Sequence, residues 1–336
     1  GRTIAAGVRS VSSIKAGRVT YGHRFFSRNG KAGQPIRVDT FSEYQRSLKS
    51  AYVLIDREER KKRIERKLDD CATKVGGRVA DLGNRSTLAV EIPDLVEYPA
   101  VVTGRFPGDF LSLPDEVLTT TMIHHQHYFP IVDHANRLME FFLAVTNTPR
   151  DNVARIARNA ERVLVARLRD ARFFWDADRK VPLDDRLDRL ETLTFHKRLG
   201  SYRRKVERVS VMAEWIARDV FEQAGAAADA RRAGELSKAD LATEMVGEFP
   251  ELQGVMGGVY AREQGEPETV WKAIYFHYLP IGVGVDAPPL RNQLGSAAVT
   301  WASVSLADKL DTIIGLFGAG EKPTGSRDPL GIRRQA

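Results

Sequence analysis

Residues 147–180 read NTPRDNVARIARNAERVLVARLRDARFFWDADRK, and no other stretch restricts the fold as tightly. A helix advances by about 100° per residue. At that step Val153, Ala157, Ala160, Leu164, Leu168, Ala171 and Trp175 gather on one face. The spacing predicts one long helix with a buried stripe, running to about Trp175. Its start is marked by Thr148 as N-cap, Pro149 at the first helical position and Asp151 three residues on, a capping box with Asp for Glu. Arg155, Arg158, Arg162, Arg169 and Arg172 fall roughly 140° from the apolar stripe. Asp151 and Glu161 lie near this basic row and partly neutralise it. Such a row is either a solvated, ion-paired face or a phosphate track, because the guanidinium fork matches phosphate oxygens.

The chain changes character across this helix. Before it, AGRVTYGHRF, AYVLID, YPAVVTGRF and EFFLAVTN are rich in β-branched and aromatic residues and read as strands. DTFSEYQRSLKS and REERKKRIERKLDDCATK read as helices, the second burying Ile64, Leu68 and Cys71. Its alternating charges mark a solvated face. LPDEVLTTTMIHH reads as a helix with Pro114 near its first turn. After Pro182 the strand signals almost vanish. YRRKVERVSVMAEWIARDVFEQA carries Val206, Val209, Ala213, Ile216 and Val220 at helical spacing. SKADLATEMVGEF, PETVWKAIYFHYL and SAAVTWASVSLADKLDTIIGLFG follow as further helices, AGAAADARRAGE as a small-residue turn region, and PIGVGVDAPP as a surface loop. The expected class is α+β: a mixed α/β domain over 1–150, an all-α domain over 151–330, and the start of a further domain at 331–336. The boundary itself is expected within the arginine helix, between about 150 and 180.

Composition narrows the function. No apolar run is long enough to span a membrane, and the first residues lack the apolar core of a signal peptide. A single cysteine, Cys71, leaves no internal disulfide and no thiolate zinc cage, which fits a reducing, cytoplasmic setting. The net charge of +7 suits a polyanionic partner such as nucleic acid, without deciding between RNA and DNA. The absence of a starting Met, and a last stretch, DPLGIRRQA, that reads as the opening of another helix, predict a piece of a longer protein.

Three motifs invite chemistry. GLFGAGEK nearly has phosphate-loop spacing, but Glu321 puts a carboxylate where phosphate must lie and Pro323 replaces the needed hydroxyl. The run HHQHYFP holds His124, His125 and His127. On a strand His125 and His127 would share a face, and Asp133 or His134 would be the near additional ligands for a metal. The other readings are packing and an RNA-contacting surface. Finally, His196 in TFHKRLGS, Asp240 in ELSKAD and Asp308 in SLADKLDT lie in an all-helical half. Their order resembles the HD metal-phosphohydrolases, which bind metal through a His, an adjacent His-Asp pair and a distal Asp. Here Ala239 precedes Asp240, so the pair's histidine is missing. Ser237 and Asp240 are also spaced as an N-cap and its third residue, so Asp240 has a plain capping role open to it. A metal-dependent hydrolase built on His196, Asp240 and Asp308 stands as an alternative function.

RVTYGHRF, FLSLPDEVLTTTMIHHQHYFPI, ERVLVARLRDARFFWDADRK, TFHKRLGS, KADLATEMVGEFPELQGVMG and LADKLDTIIGLFGAGEKPTGSRDPLGIRR occur in that order. Together they resemble the β subunit of bacterial heterotetrameric glycyl-tRNA synthetase. The resemblance implies an α2β2 ligase in which the α subunit holds the glycine and ATP site, with Mg, and β binds tRNA(Gly). No DNA, no membrane and no cofactor or metal in this chain are implied. It further implies an HD-like helical domain with a degenerate metal site, and a C-terminal anticodon-binding domain beyond the sequence. A purely structural role as scaffold for the α dimer is the remaining alternative. The residues expected to contact tRNA are Arg155, Arg158, Arg162 and Arg169, the cluster Lys197, Arg198, Arg203, Arg204 and Lys205, and His125, Gln126 and Tyr128. Two positions depart from the family. His127 stands where a Lys or Arg is usual, which weakens any phosphate contact there. Ala160 stands where the family has Asn, so no role of that amide carries over.

Overall fold

A computed structural model of the chain describes residues 10–11, 14–15, 17–26, 33–81, 88–148, 152–281, 288–321, 323, 328 and 331. The expectations that rest on Pro149, Asp151, Lys322, the loop at 282–287 and residues 332–336 lie outside these. Two compact units divide after Leu168, inside the helix Val153–Asp178.

The first unit is built on a four-stranded antiparallel sheet, in the order Arg78–Val79, Tyr128–Val132, Leu138–Thr146, Ala100–Arg105. Pro130 sits within an inner strand, where it has no N–H to give the ladder. The pairing with Leu138–Thr146 shifts register between Pro130 and Val132, which absorbs the defect. Phe129, Ile131 and Leu143 point from the sheet into a core completed by Ile64, Leu68 and Ala72 of the helix Arg57–Lys74 and by Leu88 and Ile92 of Leu88–Leu95. The helix Arg57–Lys74 forms as its pattern predicts. Asp56 caps it by accepting the Glu58 and Glu59 backbone N–H groups, and Ala72 rather than Cys71 completes its fully buried stripe. The helix Phe41–Ser50 likewise starts on a Thr40 cap.

Two strand expectations change. The first strand shrinks to Val19–Tyr21, paired with Pro35–Arg37. Residues 51–56 form no strand: Tyr52 has φ 62°, Val53 N–H returns to Leu48 O, and Leu54 N–H goes to Glu97 O. Their backbone is satisfied locally and by one loop, so Leu54 is buried and Val53 half-buried without a ladder, while Ile55 stays exposed.

Among its described residues the second unit is helical except for one small ladder, Thr194–His196 with Gly200–Ser201, which corrects the all-α expectation. Its longer helices are Tyr202–Trp215, Ala227–Leu236, Val255–Glu263, Glu268–Phe276 and Ala298–Gly318. Ala227–Leu236 occupies most of the segment expected to be a turn region. The expected helix over SKADLATEMVGEF is broken into a 3₁₀ turn, Ala239–Ala242, and a short helix, Glu244–Glu248. Asp178 supplies the break with partners, accepting the Glu244 and Met245 N–H groups at 3.0 and 2.9 Å. Among the described residues no helix is long and apolar enough to cross a membrane.

Candidate nucleic-acid interface and a buried ionic centre

The arginine helix runs unbroken from Val153 to Asp178. Asn152, with φ 67°, precedes it and accepts the Arg155 and Ile156 N–H groups, so the helix begins later than the Thr148 cap predicted. Ala160, Leu164, Leu168, Ala171 and Trp175 are buried as the spacing requires. Val153 is exposed and Ala157 half-buried, so the buried stripe starts about two turns further on, at Ala160. Arg155, Arg158, Arg162 and Arg169 are all exposed, and Arg172 is half-buried. Glu161, expected to offset this row, instead accepts the Arg105 backbone N–H at 3.0 Å, on the sheet strand Ala100–Arg105. A rigid helix therefore carries a row of guanidinium groups at its surface.

The second basic cluster divides. Lys197 and Arg204 are exposed. Arg198 donates to Ala319 O at 2.7 Å and closes the C-terminus of the helix Ala298–Gly318, where a cation also meets the helix dipole. Arg203 is half-buried and pairs with Glu207 at 3.2 Å. Lys205, expected to face tRNA, is 2% exposed. It stands one helical turn from Val209 and two from Ala213, on the buried face of Tyr202–Trp215. Its ammonium lies 2.9 Å from Asp308 Oδ1, 3.0 Å from Asp311 Oδ2 and 2.7 Å from Thr312 Oγ1. Lys205 thus belongs to the core.

The histidine run is not a strand. His124 and His125 lie in a π-type turn, Thr121–His125, after the short helix Asp115–Thr120. Gln126 is its C-cap, and His127 takes the left-handed conformation at φ 57°. His125 and His127 therefore do not share a strand face. Asp133 is committed to the hairpin turn, accepting Ala135 and Arg137 N–H groups and the Arg137 guanidinium, which together hold its carboxyl below the ordinary range. His134 is exposed. Tyr128 is half-buried and stacks on Phe142, with centroids 4.7 Å apart and planes at 15°. Phe129 is core. One ring face of Tyr128 is thus taken by the protein.

His196, Asp240 and Asp308 enter three separate arrangements. His196 Nε2 lies 3.3 Å from Glu321 Oε1. Asp240 Oδ2 accepts the Gly254 and Gly257 backbone N–H groups, at 2.5 and 3.0 Å. It caps the helix Val255–Glu263, not the segment beginning at Ser237. Ser237 instead ends the preceding helix, donating to Gly234 O. Asp308 faces two lysines. Lys238 Nζ is 2.7 Å from its Oδ2, and Lys205 Nζ is 2.9 Å from Oδ1. Lys238 also lies 2.7 Å from His277 Nε2. Arg208 brackets Asp311, at 2.5 and 3.1 Å, on the outer side of the same network.

The electrostatics follow from this packing. Burial alone would raise the Asp308 carboxyl, but Lys238 and Lys205 outweigh it and hold the group below the usual carboxylate range. Burial, reinforced by the Lys238 charge, pushes His277 down to about 3, so its imidazole is neutral. Burial pushes Asp240 up to about 6, against the two backbone N–H groups.

A divalent ion of the kind an HD-type centre implies does not fit these residues. The nitrogen and oxygen that would bind it, His277 Nε2 and Asp308 Oδ2, both hold the Lys238 ammonium, and the other Asp308 oxygen holds Lys205. A lysine offers donors only and cannot ligate a cation. Among the described residues no group of three or more His, Cys, Asp or Glu is placed to hold a metal. The sequence reading missed Lys238 and His277. The available signal was a lone lysine among small and apolar residues in LSKADLA, where a charge enters a segment otherwise fit for burial.

The family model described as glycyl-tRNA synthetase beta subunit matches residues 7–336, and the chain belongs to that family. A glycine–tRNA ligase beta subunit of Phenylobacterium zucineum is 45% identical over 328 residues, covering 97% of this chain and 47% of that protein. The Bacillus subtilis beta subunit is 40% identical over 97% of this chain and 46% of its own length. That of Myxococcus xanthus is 43% identical over 96% and 43%. The chain therefore spans about half the length of the curated relatives it matches.

Proposed function

We propose that this chain is the part of a glycine–tRNA ligase β subunit that grips tRNA(Gly) and presents its acceptor end to the active site of an α subunit, where ATP-dependent charging takes place. The complex is an α2β2 tetramer of the cytoplasm, and the helical unit is an HD-like domain whose metal chemistry has been lost. The observation that carries the reading is the exposed arginine row on the helix Val153–Asp178, in a chain whose family is that of a tRNA synthetase subunit. Phosphate contacts of this kind fix the register and orientation of a nucleic acid without reading its sequence. Identity would then be read elsewhere, and this chain would act by positioning. The buried ionic centre supports the same view over the hydrolase alternative, because lysines hold the donor atoms that metal-assisted hydrolysis would need free.

The test separates positioning from chemistry. In the intact tetramer, Arg155, Arg158 and Arg162 are replaced together by Glu. Glycine-dependent exchange of pyrophosphate into ATP should persist, while kcat/KM for tRNA charging falls by at least about 100-fold, the loss expected from removing several phosphate contacts. Unchanged charging with tRNA would refute the proposal and favour a scaffold role.

A further inference from the structure

Lys238 is 1% exposed, and three groups surround its ammonium. Asp308 Oδ2 and His277 Nε2 each lie 2.7 Å away, and the centroid of the Tyr278 ring lies 3.7 Å away. His277 Nδ1 is 2.6 Å from Ile274 O. A carbonyl only accepts, so Nδ1 carries the proton and the Nε2 lone pair faces Lys238. A backbone carbonyl that fixes the tautomer in this way is the arrangement that prepares a histidine for a metal ion. The carboxylate completes a pair of donors typical of such sites. Apart from the lysine, the pocket is shaped for a cation: an imidazole lone pair, a carboxylate oxygen and an aromatic face converge on one point.

We propose that the Lys238 ammonium is a tethered cation standing where a divalent ion would otherwise bind, and that His277 and Asp308 still form a metal site once it is removed. The centre keeps the positive charge its buried carboxylate needs, but the charge is now covalently part of the chain. It cannot dissociate, and it presents no open coordination position to water or phosphate. The neighbouring network is compatible with this. Lys205 stays engaged with Asp311, Thr312 and the Asp308 backbone carbonyl, and of the Asp308 carboxylate it touches the opposite oxygen. The inference rests on the geometry of these side chains and not on the tRNA-positioning role, so either can fail alone.

The experiment uses the intact protein and Co²⁺, whose visible absorption reports nitrogen ligation. Lys238→Ala should take up one Co²⁺ per chain more than the unaltered protein does. Its thermal midpoint should rise by several degrees with the ion, as selective binding to the folded state requires. The unaltered protein should show neither change, and the extra ion should be lost in Lys238→Ala combined with His277→Gln. Lys238→His, which leaves a nitrogen donor at the same position, provides a second route. Uptake by either variant that depends on His277 supports the proposal. Folded variants that bind no additional ion overturn it, as does uptake indifferent to His277→Gln. Failure of both variants to fold even with Co²⁺ present also overturns it, because an ion that fits the centre should restore them.

Discussion

Asp240 Oδ2 accepts the Gly254 backbone N–H at 2.5 Å, across fourteen residues of sequence, and so closes the start of a helix it does not belong to. Gly254 has φ 79°, a conformation that glycine adopts without a side-chain clash. Asp240→Ala would orphan two buried N–H groups and should cost about 1–3 kcal/mol in denaturant unfolding. Asp240→Asn keeps an acceptor and removes a buried charge. Because the folded-state value is raised to about 6, the native protein holds a proton that the unfolded chain releases near pH 4. This group's contribution therefore falls as pH rises from about 4 to about 6, by at most about 1.4 kcal/mol per pH unit. That component should be absent from the Asp240→Asn stability profile.

His277 acts with the opposite sign. Its folded-state value is depressed to about 3, so the native protein excludes a proton that the unfolded chain binds below about pH 6.5. Its contribution is complete above about 6.5 and is lost as pH falls toward 3, with the same limiting slope. The two slopes oppose each other between about 4 and 6. His277→Gln should leave a profile in which stability declines with rising pH across that window. Asp240→Asn should leave one in which it climbs. Parallel profiles for the two variants would contradict both assignments.

These two residues also show how far the sequence could be read. Helices with an amphipathic stripe were legible, as in Phe41–Ser50 and Arg57–Lys74, because the signal lies within a few residues. The exposed arginine row was legible for the same reason. Asp240 was read as a cap, but for the helix nearest in sequence, since spacing reveals only local partners. Lys238 meets His277 and Asp308 across 39 and 70 residues, and periodicity carries no information about such pairs. Lys205 was misplaced because its charge outweighed its position among Val206, Val209 and Ala213. The pairing that rescues a buried lysine, with Asp308 and Asp311, comes from a helix a hundred residues away. The segment 51–56 has strand composition, but strand composition describes a half-buried surface, and loops can supply one too.

Gly104 faces Phe142 across the strand pair. A β-carbon there would clash with Phe142 Cζ, in a ring that also stacks on Tyr128. Gly104→Ala should destabilise the first unit by about 1–3 kcal/mol through overpacking. Near-ultraviolet circular dichroism should report the disturbed Tyr128–Phe142 pair. Gly265→Ala is not an equivalent control despite open space around it, because Gly265 has φ 86° and would be strained by its backbone. Gly247, with open space and no such conformation, is the control expected to show little loss.

Arg186 and Asp178 form a buried pair at 3.1 Å, and Arg186 also donates to Ala242 O and Asp178 O. Asp178 in turn accepts the Tyr260 hydroxyl at 3.0 Å, and Tyr260 stacks on Trp175. Arg186→Ala leaves an uncompensated buried carboxylate and should cost about 3–5 kcal/mol. Adding Asp178→Asn should recover part of that loss, since the amide has no charge to leave unpaired. A double variant no more stable than Arg186→Ala would show that packing, or the acceptor oxygen the amide lacks toward the Glu244 and Met245 N–H groups, and not the charge, sets the cost.

The arginine row makes a prediction that its burial pattern sharpens. If Arg155, Arg158 and Arg162 lie on phosphates, each releases counterions on binding. Replacing each with Gln should then weaken tRNA affinity about equally for any tRNA sequence, and should reduce the log–log salt slope by about 1 per residue. Lys205 provides the contrast. It is as basic as the others but buried against Asp308 and Asp311. Lys205→Gln should lower the thermal midpoint and leave the salt slope of the still-folded fraction unchanged. Filter binding of tRNA(Gly) to the proposed α2β2 complex from about 50 to 200 mM salt resolves slope differences of this size. A triple arginine variant with the slope of the unaltered protein would place the phosphate contacts on some other surface.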